Sequence, residues 1–449
     1  MRPRAAVRLL WLPVLRSRGN AWNMNNNGNF NNNNLNNNNR VLSCANLTDV
    51  CLCVESMVTL EELYNVYLVA RSNKRRSRDA VLFEMDMEKN LFQLCVDLNG
   101  RALDTSTNYA FVVHTPKDRE IFATIMYVRI VHHFLERKLR PEYERILSRR
   151  SYNNRRGMGL HAAIRQFRKD VSDVTEGFAK DAWIAHLDLK GYFPNADVEI
   201  ALKQQLDIID GAYSGEEAED IRYMMTECMR VDPARRCNIY VPKSEWSGIA
   251  PEKSLFNKPP GTGGAIGFLI WQNAMGRYIN DVVRWMESLD FMRVVVFVDD
   301  IYIVTKDKAK FLSVIPELRK RLAGLKVSLN ERKFYLQHYS KGVRILGSHV
   351  RYDREILDRS TVRRAFRKVE EWKRVKGIQW KTDRLLSSMN TYVGMMKRKT
   401  MRRTTERFRD CVLEAFHRFL GWNPQKECFC LKEKYTLKRV LERKYNVRL

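Results

Sequence analysis

The sequence predicts an α+β fold, with a few short strands and many helices. An apolar stretch at residues 182–187 is typical of a strand, and two β-branched runs joined by a pair of acids at residues 293–304 indicate a β-hairpin. Amphipathic spacing predicts helices at residues 59–76 and 122–137. From residue 360 to the end, Arg and Lys recur at helical spacing, which predicts a basic helical region.

The sequence predicts regular structure in some of the remaining segments and disorder in others. Residues 111–114 are predicted to form a strand, and helical sequence resumes near Ala196. Residues 205–262 have mixed content and are predicted to be a long connecting region. Residues 20–39 contain 14 Asn, so they have almost nothing to bury and are predicted to be disordered.

The charge of the chain points to a polyanionic partner. Lys and Arg total 79 against 52 Asp and Glu, which gives a formal net charge of +27. Such an excess repels itself in a compact state unless a polyanion neutralises it. Nucleic acid is therefore the expected partner, with a soluble or ribosome-associated basic protein as the alternative. At 449 residues and 45% hydrophobic content, the chain suits two or three packed sub-domains.

Other compositional features argue against several protein classes. The nine cysteines form no CxxC pair, which indicates neither a disulfide framework nor a zinc site, and reduced thiols in a cytosolic protein fit best. No apolar stretch approaches the roughly 20 residues that a membrane helix needs, so no membrane association is expected. The Arg-rich first 19 residues lack a clear cleavage site, and targeting is not expected.

Three aspartates carry the chemistry that the sequence suggests. Asp299 and Asp300 join two apolar runs, and adjacent carboxylates repel each other unless a cation lies between them. An ordinary Asp-Asp turn is the alternative. Asp188 ends a separate strand, where a lone Asp is common. Together the three can hold two Mg²⁺ ions roughly 3.5–4 Å apart, the arrangement used in nucleotidyl transfer.

Ordered blocks of the chain resemble a reverse transcriptase, and most closely the reverse transcriptases of diversity-generating retroelements. The resemblance covers roughly residues 57–400. In chain order the blocks are KRRSRDAVLFEMDMEKNLFQL, FVVHTPKDREIFA with VRIVHHFL, RRGMGLHAAI, WIAHLDLKGYFPN, PEKSLFNKPPGTGGAIGFLIWQNA, FVDDIYIV, LKVSLNERKFYL, VRILGSHV and LLSSMNTYVGMMKR. Each block alone is weak evidence, but nine in the right order are strong because independent coincidences multiply.

The resemblance implies a right-hand polymerase with fingers, palm and thumb. The palm would be an antiparallel sheet, and the fingers and thumb would be helical. The implied divisions are an Asn-rich leader at residues 1–56, fingers at 57–180, a palm at 181–350 with an insertion at 205–262, and a basic thumb with a C-terminal tail at 351–449.

The same resemblance implies roles for the acidic residues. Asp188 and Asp299 would be the principal ligands of two Mg²⁺ ions, with Mn²⁺ as an alternative metal, and Asp300 would be the supporting carboxylate. Leu189 would give a backbone carbonyl to the metal on the nucleotide side. The reaction consists mainly of positioning and charge stabilisation, so no protein nucleophile is required.

Further residues are implied to bind the incoming deoxynucleotide. Lys117 and Arg119 would reach its triphosphate, and Lys333 would lie near it. Phe193 matches an aromatic gate that clashes with a 2′-hydroxyl and so favours deoxynucleotides. A core aromatic remains the alternative for Phe193, and a solvated surface charge remains the alternative for Lys333.

The block from Ile266 to Gln272 indicates the subfamily. An aliphatic residue before Gly267 and a Gln at the end of the block agree with the retroelement enzymes, which implies that these three residues line the nucleotide site. Trp271 replaces the family's Ser, and Gly264 with the following Ala replaces its Leu-Pro. Because Ile266 cannot hydrogen-bond the sugar as a Gln can, discrimination rests on shape and we expect error-prone copying.

The Asn-rich residues 20–39 have a second interpretation. Asn codons are adenine-rich, and these retroelements copy an adenine-rich template repeat with errors at adenine. The stretch resembles such a repeat in translation, so residues 1 to about 50 would have no catalytic role and translation would start near Met57. A near-copy of the stretch in a neighbouring gene would support this hypothesis, and an ordinary disordered tail is the alternative.

The leading hypothesis is an RNA-directed DNA polymerase that makes adenine-mutagenic cDNA for mutagenic retrohoming. Its expected partners are template RNA, a cDNA or DNA primer, deoxynucleotide triphosphates and a small basic accessory protein, in the cytoplasm of a bacterial, phage or archaeal system. A retron, group II intron-like or anti-phage reverse transcriptase is one alternative. A catalytically inactive RNA-binding protein is the other.

Overall fold

The computed structural model describes residues 58–435 except 73, 75–76, 115–116 and 398. These residues form helices and mainly antiparallel strands, so the predicted α+β class is confirmed. The predicted leader, its Asn-rich tract and the suggested start at Met57 lie outside the described residues.

A layer of helices opens the described chain. The helices are α1 (Leu60–Arg71), α2 (Arg78–Met85) and α3 (Met87–Asn99). The Thr59 hydroxyl accepts from the Glu62 N–H at 3.2 Å, and the Ser77 hydroxyl caps α2 in the same way. The helix predicted from residue 59 is thus confirmed, although it ends at Arg71 rather than continuing to residue 76.

A small sheet packs beside this layer. Strand β1 (Asn108–Val113) pairs antiparallel with β2 (Arg119–Thr124) and parallel with β4 (Cys237–Ile239). The helix predicted at 122–137 is wrong at its start, because β2 continues to Thr124 and helix α4 (Met126–Ile146) begins only afterwards. The reason is that buried and more exposed residues alternate along β2, which is the period of a strand.

Much of the predicted connecting region is helical. Helix α5 (Leu160–Val174) precedes the second sheet, and α6 (Val198–Ala212) and α7 (Gly215–Arg230) follow its first strand. The first half of the connecting region predicted at 205–262 is therefore mainly helical. Buried Ala218, Ile221 and Met225 recur at helical spacing, and this face packs into the core.

The central sheet has four strands in the described part of the chain. Its strands lie in the order β5 (Met292–Phe297), β6 (Asp300–Thr305), β3 (Trp183–Asp188) and β7 (Tyr335–His338), and neighbouring strands are antiparallel. The predicted strand at 182–187 and the predicted hairpin at 293–304 are both confirmed.

Both faces of the central sheet are covered. Three helices pack on one face, namely α8 (Leu269–Tyr278), α9 (Asn280–Glu287) and α10 (Lys308–Gly324). The other face packs on α5 and on the short strands β8 (Val343–Ile345) and β9 (Ser348–Val350). Because strand residues alternate between faces, each strand contributes apolar side chains to two separate core clusters.

The C-terminal part has its own core. It consists of β10 (Glu355–Leu357), α11 (Arg359–Lys373), α12 (Thr382–Lys397), α13 (Arg402–Phe416), β11 (Leu420–Asn423) and β12 (Cys428–Leu431). The basic helical region predicted from residue 360 contains the three helices, and it differs from the prediction at its end, where β11 and β12 form a hairpin. Leu420 and Phe429 of that hairpin are buried against the helices.

None of the described helices is both long enough and apolar enough to cross a membrane. The cysteines within the described residues are free thiols. The division into fingers, palm and thumb stays a prediction.

Candidate active site

Asp188 and Asp300 face each other at one end of the central sheet. Asp188 is the last residue of β3, Asp300 is the first of β6, and the strand register pairs them directly. On the other side Asp300 is paired with Phe297, which leaves Val298 and Asp299 as a two-residue turn. The fold therefore brings all three predicted carboxylates to one end of the sheet.

The Asp188 carboxylate is buried and already has two partners. Only 5% of Asp188 is exposed. The Lys333 ammonium forms an ion pair with its Oδ1, and the Asn330 side-chain amide donates to Oδ2 at 2.9 Å. The Asn330 N–H also donates to the Asp188 carbonyl at 2.8 Å. Lys333 is thus an immediate neighbour of the first carboxylate rather than an isolated surface charge.

The turn that carries Asp299 is strained. Val298 has a φ of +59°, a conformation that β-branched residues rarely adopt. Two contacts hold it: the Val298 N–H donates to the Asn153 side chain at 3.4 Å, and the Leu189 N–H donates to the Asp299 carbonyl at 3.0 Å. Strain of this kind persists only where the surrounding structure imposes it, and it is concentrated at functional sites.

Asp299 lies in a setting that disfavours its charge. Burial, followed by the nearby carboxylate of Asp300 and then that of Asp188, raises the pKa of Asp299 to about 6. Lys333 acts in the opposite direction with a smaller effect. A divalent cation at this point would favour the charged form again, so the three carboxylates suit a metal electrostatically.

The side chains are not arranged as a finished metal site. Within the described residues, no group of three or more His, Cys, Asp or Glu side chains is placed to hold a metal ion. Asp188 is engaged by Lys333, and Asp300 by His186. The donor chemistry nevertheless fits Mg²⁺, which takes oxygen ligands and is usually held by one or two carboxylates with substrate phosphates. The ligand roles of the three aspartates and of the Leu189 carbonyl stay predictions.

His186 is a neighbour that sequence reasoning missed. Its Nε2 lies 2.8 Å from Oδ1 of Asp300, and its ring stacks on Tyr302 with centroids 4.7 Å apart. The ring of Tyr335 lies 5.4 Å away on the other side. Side chains alternate between the two faces of β3, so His186 lies on the same face as Asp188. The two-residue spacing is the sequence feature from which His186 could have been predicted.

Phe193 is fixed by a glycine loop, residues 261–267. The Phe193 carbonyl accepts from the Gly264 N–H at 2.8 Å, and the Ala196 carbonyl accepts from the Gly263 N–H at 2.7 Å. The Phe193 ring is half-buried and meets Tyr192 edge-on at 6.0 Å. The loop thus fixes the backbone at Phe193, five residues after Asp188 in the sequence. The role of Phe193 as a gate stays a prediction.

The same loop reaches the small sheet. The Phe122 N–H of β2 donates to the Ile266 carbonyl at 2.9 Å. Gly267 has a φ of +118°, and a Cβ there would lie 2.2 Å from the Phe122 carbonyl oxygen, so only glycine fits. Gln272 is half-buried in α8, and its carbonyl accepts from the Asn154 side chain at 2.7 Å. The loop therefore links β2 to the segment after Asp188.

Lys117 and Arg119 lie at the tip of the β1–β2 hairpin. Both are exposed, and Arg119 is paired with Val113. No hydrogen bond or ion pair within the described residues joins either of them to the three aspartates. Their contact with a triphosphate stays a prediction.

Two departures from the family pattern fit each other. Trp271 is 1% exposed, and a Cβ on Gly264 would lie 2.5 Å from Cε3 of its ring. The glycine leaves the space that the large indole fills. The loss of the family's Leu-Pro and the gain of a Trp in place of Ser are thus one packing change rather than two.

Gly264→Ala is expected to destabilise the protein by about 1–3 kcal/mol, since overpacking forces a buried ring to move. Trp271→Ala is expected to cost about 3–5 kcal/mol through the cavity it leaves. In the Trp271→Ala background, Gly264→Ala should cost much less, because the clash is gone. Gly394→Ala in α12, where nothing lies within 4 Å, is the matched control and should be neutral or slightly stabilising. Urea unfolding measures all four, and additive costs would contradict the pairing.

No protein-family model and no curated protein matches the chain. Solved telomerase structures show a weak likeness. Apo telomerase from Candida tropicalis truncated from its C-terminal domain is 13% identical, with 57% of this chain and 55% of that chain covered and a TM-score of 0.38. Telomerase from Candida albicans in complex with a TWJ fragment of telomeric RNA is 12% identical, with 71% and 56% covered and a TM-score of 0.42. The matches span little more than half of the telomerase chains, and we draw no functional conclusion from likeness at this level.

Proposed function

We propose that this chain is an RNA-directed DNA polymerase, with the central sheet as its palm. The observation that carries the proposal is the placement of Asp188 opposite Asp300, with Asp299 in the strained turn between β5 and β6. One buried and two half-buried carboxylates grouped at a sheet end, with Lys333 as the cation paired to Asp188, are expected where a metal is bound.

Bound Mg²⁺ would activate the primer 3′-hydroxyl and neutralise the triphosphate. In this proposal the carboxylates of Asp188, Asp299 and Asp300 hold the metal ions. His186 keeps Asp300 oriented by a hydrogen bond and by stacking on Tyr302. Lys333 supplies positive charge beside Asp188, where the nucleotide phosphates would lie.

The incoming nucleotide would bind between the carboxylates and the glycine loop. Two backbone hydrogen bonds attach this loop to its neighbours: the Phe122 N–H of β2 donates to the Ile266 carbonyl, and the Gly264 N–H donates to the Phe193 carbonyl. This arrangement supports the assignment of Phe193, Ile266, Gly267 and Gln272 to the nucleotide site. Lys117 and Arg119, at the end of the same hairpin, would meet the triphosphate once it is bound.

The C-terminal helices supply a surface for a nucleic-acid duplex. Exposed basic residues recur along α11, its C-terminal end and α13: Arg359, Arg363, Arg367, Lys373, Arg374, Lys376, Arg402, Arg403 and Arg407. Phosphate contacts from such residues give salt-dependent, sequence-independent affinity. We therefore propose template RNA paired with a cDNA or DNA primer as the bound partner.

The finer proposal is a retroelement enzyme that makes adenine-mutagenic cDNA for mutagenic retrohoming. What supports it is the aliphatic Ile266 and Gln272 in their block and the Asn-rich stretch at 20–39. A small basic accessory protein and a cytoplasmic setting belong to the same proposal. A retron, group II intron-like or anti-phage enzyme would share the chemistry but should copy adenine no less faithfully than other bases.

Primer extension tests the general proposal. The purified chain should extend a DNA primer on an RNA template with deoxynucleotides and Mg²⁺, and chelation should stop it. RNA binding without any extension, in Mg²⁺ or Mn²⁺, would instead favour a catalytically inactive RNA-binding protein.

Ile266→Gln is expected to lower the misincorporation rate, roughly 10-fold or more, because the new amide can hydrogen-bond the nucleotide sugar. Ile266→Leu is the matched control and should copy as inaccurately as the natural chain. The measurement is sequencing of cDNA made from one RNA template by the three proteins. Equal error spectra in all three would show that residue 266 does not set fidelity.

Without metal, stability should fall as pH rises through the range of Asp299. Its pKa is raised from 3.8 to about 6 on folding, so the folded state binds the proton more tightly than the unfolded state. The contribution of Asp299 to the free energy of unfolding is therefore fully present below about pH 4, and it is lost as pH rises through about 6. Mg²⁺ should raise Tm more at about pH 7.5 than at about pH 5. Asp299→Asn should remove most of this difference, and an equal effect of Mg²⁺ at both pH values would contradict it.

A further inference from the structure

The outer face of the small sheet presents aromatic side chains that the catalytic proposal does not use. Ala110, Val112 and Phe122 are buried, and Ala110 and Phe122 belong to the main core cluster. Alternation places Tyr109 and Phe111 on the opposite face, where both are only half-buried. A half-exposed aromatic row on a sheet is a surface on which planar groups can stack.

Tyr240 extends this row beyond the end of β4. It is 66% exposed, and its ring lies 5.5 Å from that of Tyr109, inclined by 34°. The Arg78 guanidinium carbon lies 5.8 Å from the Tyr240 ring centroid. An exposed tyrosine beside an aromatic ring and a guanidinium offers a stacking surface together with a phosphate-binding group.

The exposed charge around the row is positive. Arg78, Arg236 and Lys243 are all exposed. Of the nearby acids, Asp79 accepts the Met126 N–H at 2.9 Å. Glu120 is 5% exposed and receives three hydrogen bonds from the segment at 246–255.

Two more acids lie farther along, near the hairpin tip. Asp118 and Glu245 both face His114, at 2.9 Å and 3.5 Å. These acids lie away from Tyr240, so the exposed charge at the Tyr240 end of the face suits an anionic partner.

The outer face is continuous with the candidate nucleotide site. Ile121 of β2, paired with Phe111, has its side chain 3.0 Å from the position that a Cβ on Gly267 would take. Tyr109 lies two residues farther along β1, or about 7 Å. A strand leaving the nucleotide site along this face would meet Phe111, then Tyr109 and Tyr240.

We propose that this outer face binds single-stranded nucleic acid, with unpaired bases stacked on Tyr240 and Tyr109 and a phosphate held by Arg78. Unpaired strands fit because the base faces of a duplex are covered by their neighbours, whereas stacking platforms accept any exposed base. That the strand is the template ahead of the nucleotide site rests on the proposed function. The binding itself does not.

Binding of the full chain to two labelled nucleic acids tests the proposal. One probe is a primer–template duplex with an unpaired 5′ template overhang of about 8 nucleotides, and the other is the same duplex with blunt ends. Tyr240→Ala is expected to weaken binding of the overhang probe by roughly 5- to 100-fold and to leave the blunt probe within about twofold. Tyr240→Phe keeps the ring and should bind like the natural chain. Tyr352→Ala, at a tyrosine that is 52% exposed in another part of the chain, is the control for loss of an exposed ring.

Several results would overturn the proposal. They are an unchanged affinity of Tyr240→Ala for the overhang probe, an equal loss on both probes, and an equal loss in Tyr240→Phe. Competition for this face by an acidic peptide but not by single-stranded RNA would also overturn it, because the surface would then be a protein-docking site. If the chain synthesises DNA and Tyr240→Ala binds the overhang probe normally, the single-strand-binding proposal is wrong and the polymerase proposal is unaffected. If overhang binding depends on Tyr240 but the chain synthesises no DNA, only the polymerase proposal is wrong.

Discussion

Asp299→Asn is expected to reduce DNA synthesis by at least about 10²- to 10³-fold, since a neutral amide cannot replace a metal-binding carboxylate at the reacting centre. RNA binding should stay within about twofold, because phosphate contacts elsewhere in a strongly basic chain carry it. Primer extension and RNA binding, measured on the same preparation, separate the two effects.

The fold should survive this substitution. Burial and two neighbouring carboxylates disfavour the Asp299 charge, so its removal should leave Tm unchanged or raise it at neutral pH without metal. Asp290→Asn, at an exposed residue just before β5 at the far end of the same hairpin, is the matched control and should retain full activity. Joint loss of activity, RNA binding and Tm in Asp299→Asn would identify Asp299 as a folding residue.

Phe193→Val is expected to raise the use of ribonucleotides relative to deoxynucleotides by about 10- to 200-fold, the range that a change in pocket shape provides. The reason is that the ring would no longer obstruct the 2′-hydroxyl. The Phe193 backbone is held by the Gly264 N–H at 2.8 Å, so the loop should keep its position when the side chain shrinks. Single-nucleotide incorporation with each substrate gives the ratio.

A ring-retaining variant separates steric exclusion from packing. Phe193→Tyr should keep the preference for deoxynucleotides, whereas a general loss of packing would lower incorporation of both substrates equally. An unchanged ratio in Phe193→Val would mean that Phe193 is the core aromatic that its half-buried position also allows.

The sequence predicts the centre of the candidate site because the relevant signals are local. The β-branched runs around Asp299 and Asp300 define a hairpin within a dozen residues, and the apolar strand before Asp188 is equally compact. The structure contains these elements where the sequence places them.

The parts that sequence reasoning missed depend on register and on distant contacts. His186 and Asn330 reach the carboxylates only because β3 pairs with β6, and because the segment after α10 hydrogen-bonds to the end of β3. The fit of Gly264 to Trp271 depends on how a loop packs against a helix. The start of α4 differs from the predicted start because the residues at the end of β2, taken alone, fit either a helical or a strand period.

Sequencing the product made on a supplied RNA tests most directly whether the chain is an RNA-directed DNA polymerase. The full chain, given one RNA of arbitrary sequence, a DNA primer, deoxynucleotides and Mg²⁺, is expected to yield alkali-resistant DNA complementary to that RNA. The Asp299→Asn preparation should yield at least about 10²- to 10³-fold less of it. Failure of the natural chain to make such DNA, or a product whose sequence is independent of the template, would contradict the assignment of an RNA-directed DNA polymerase.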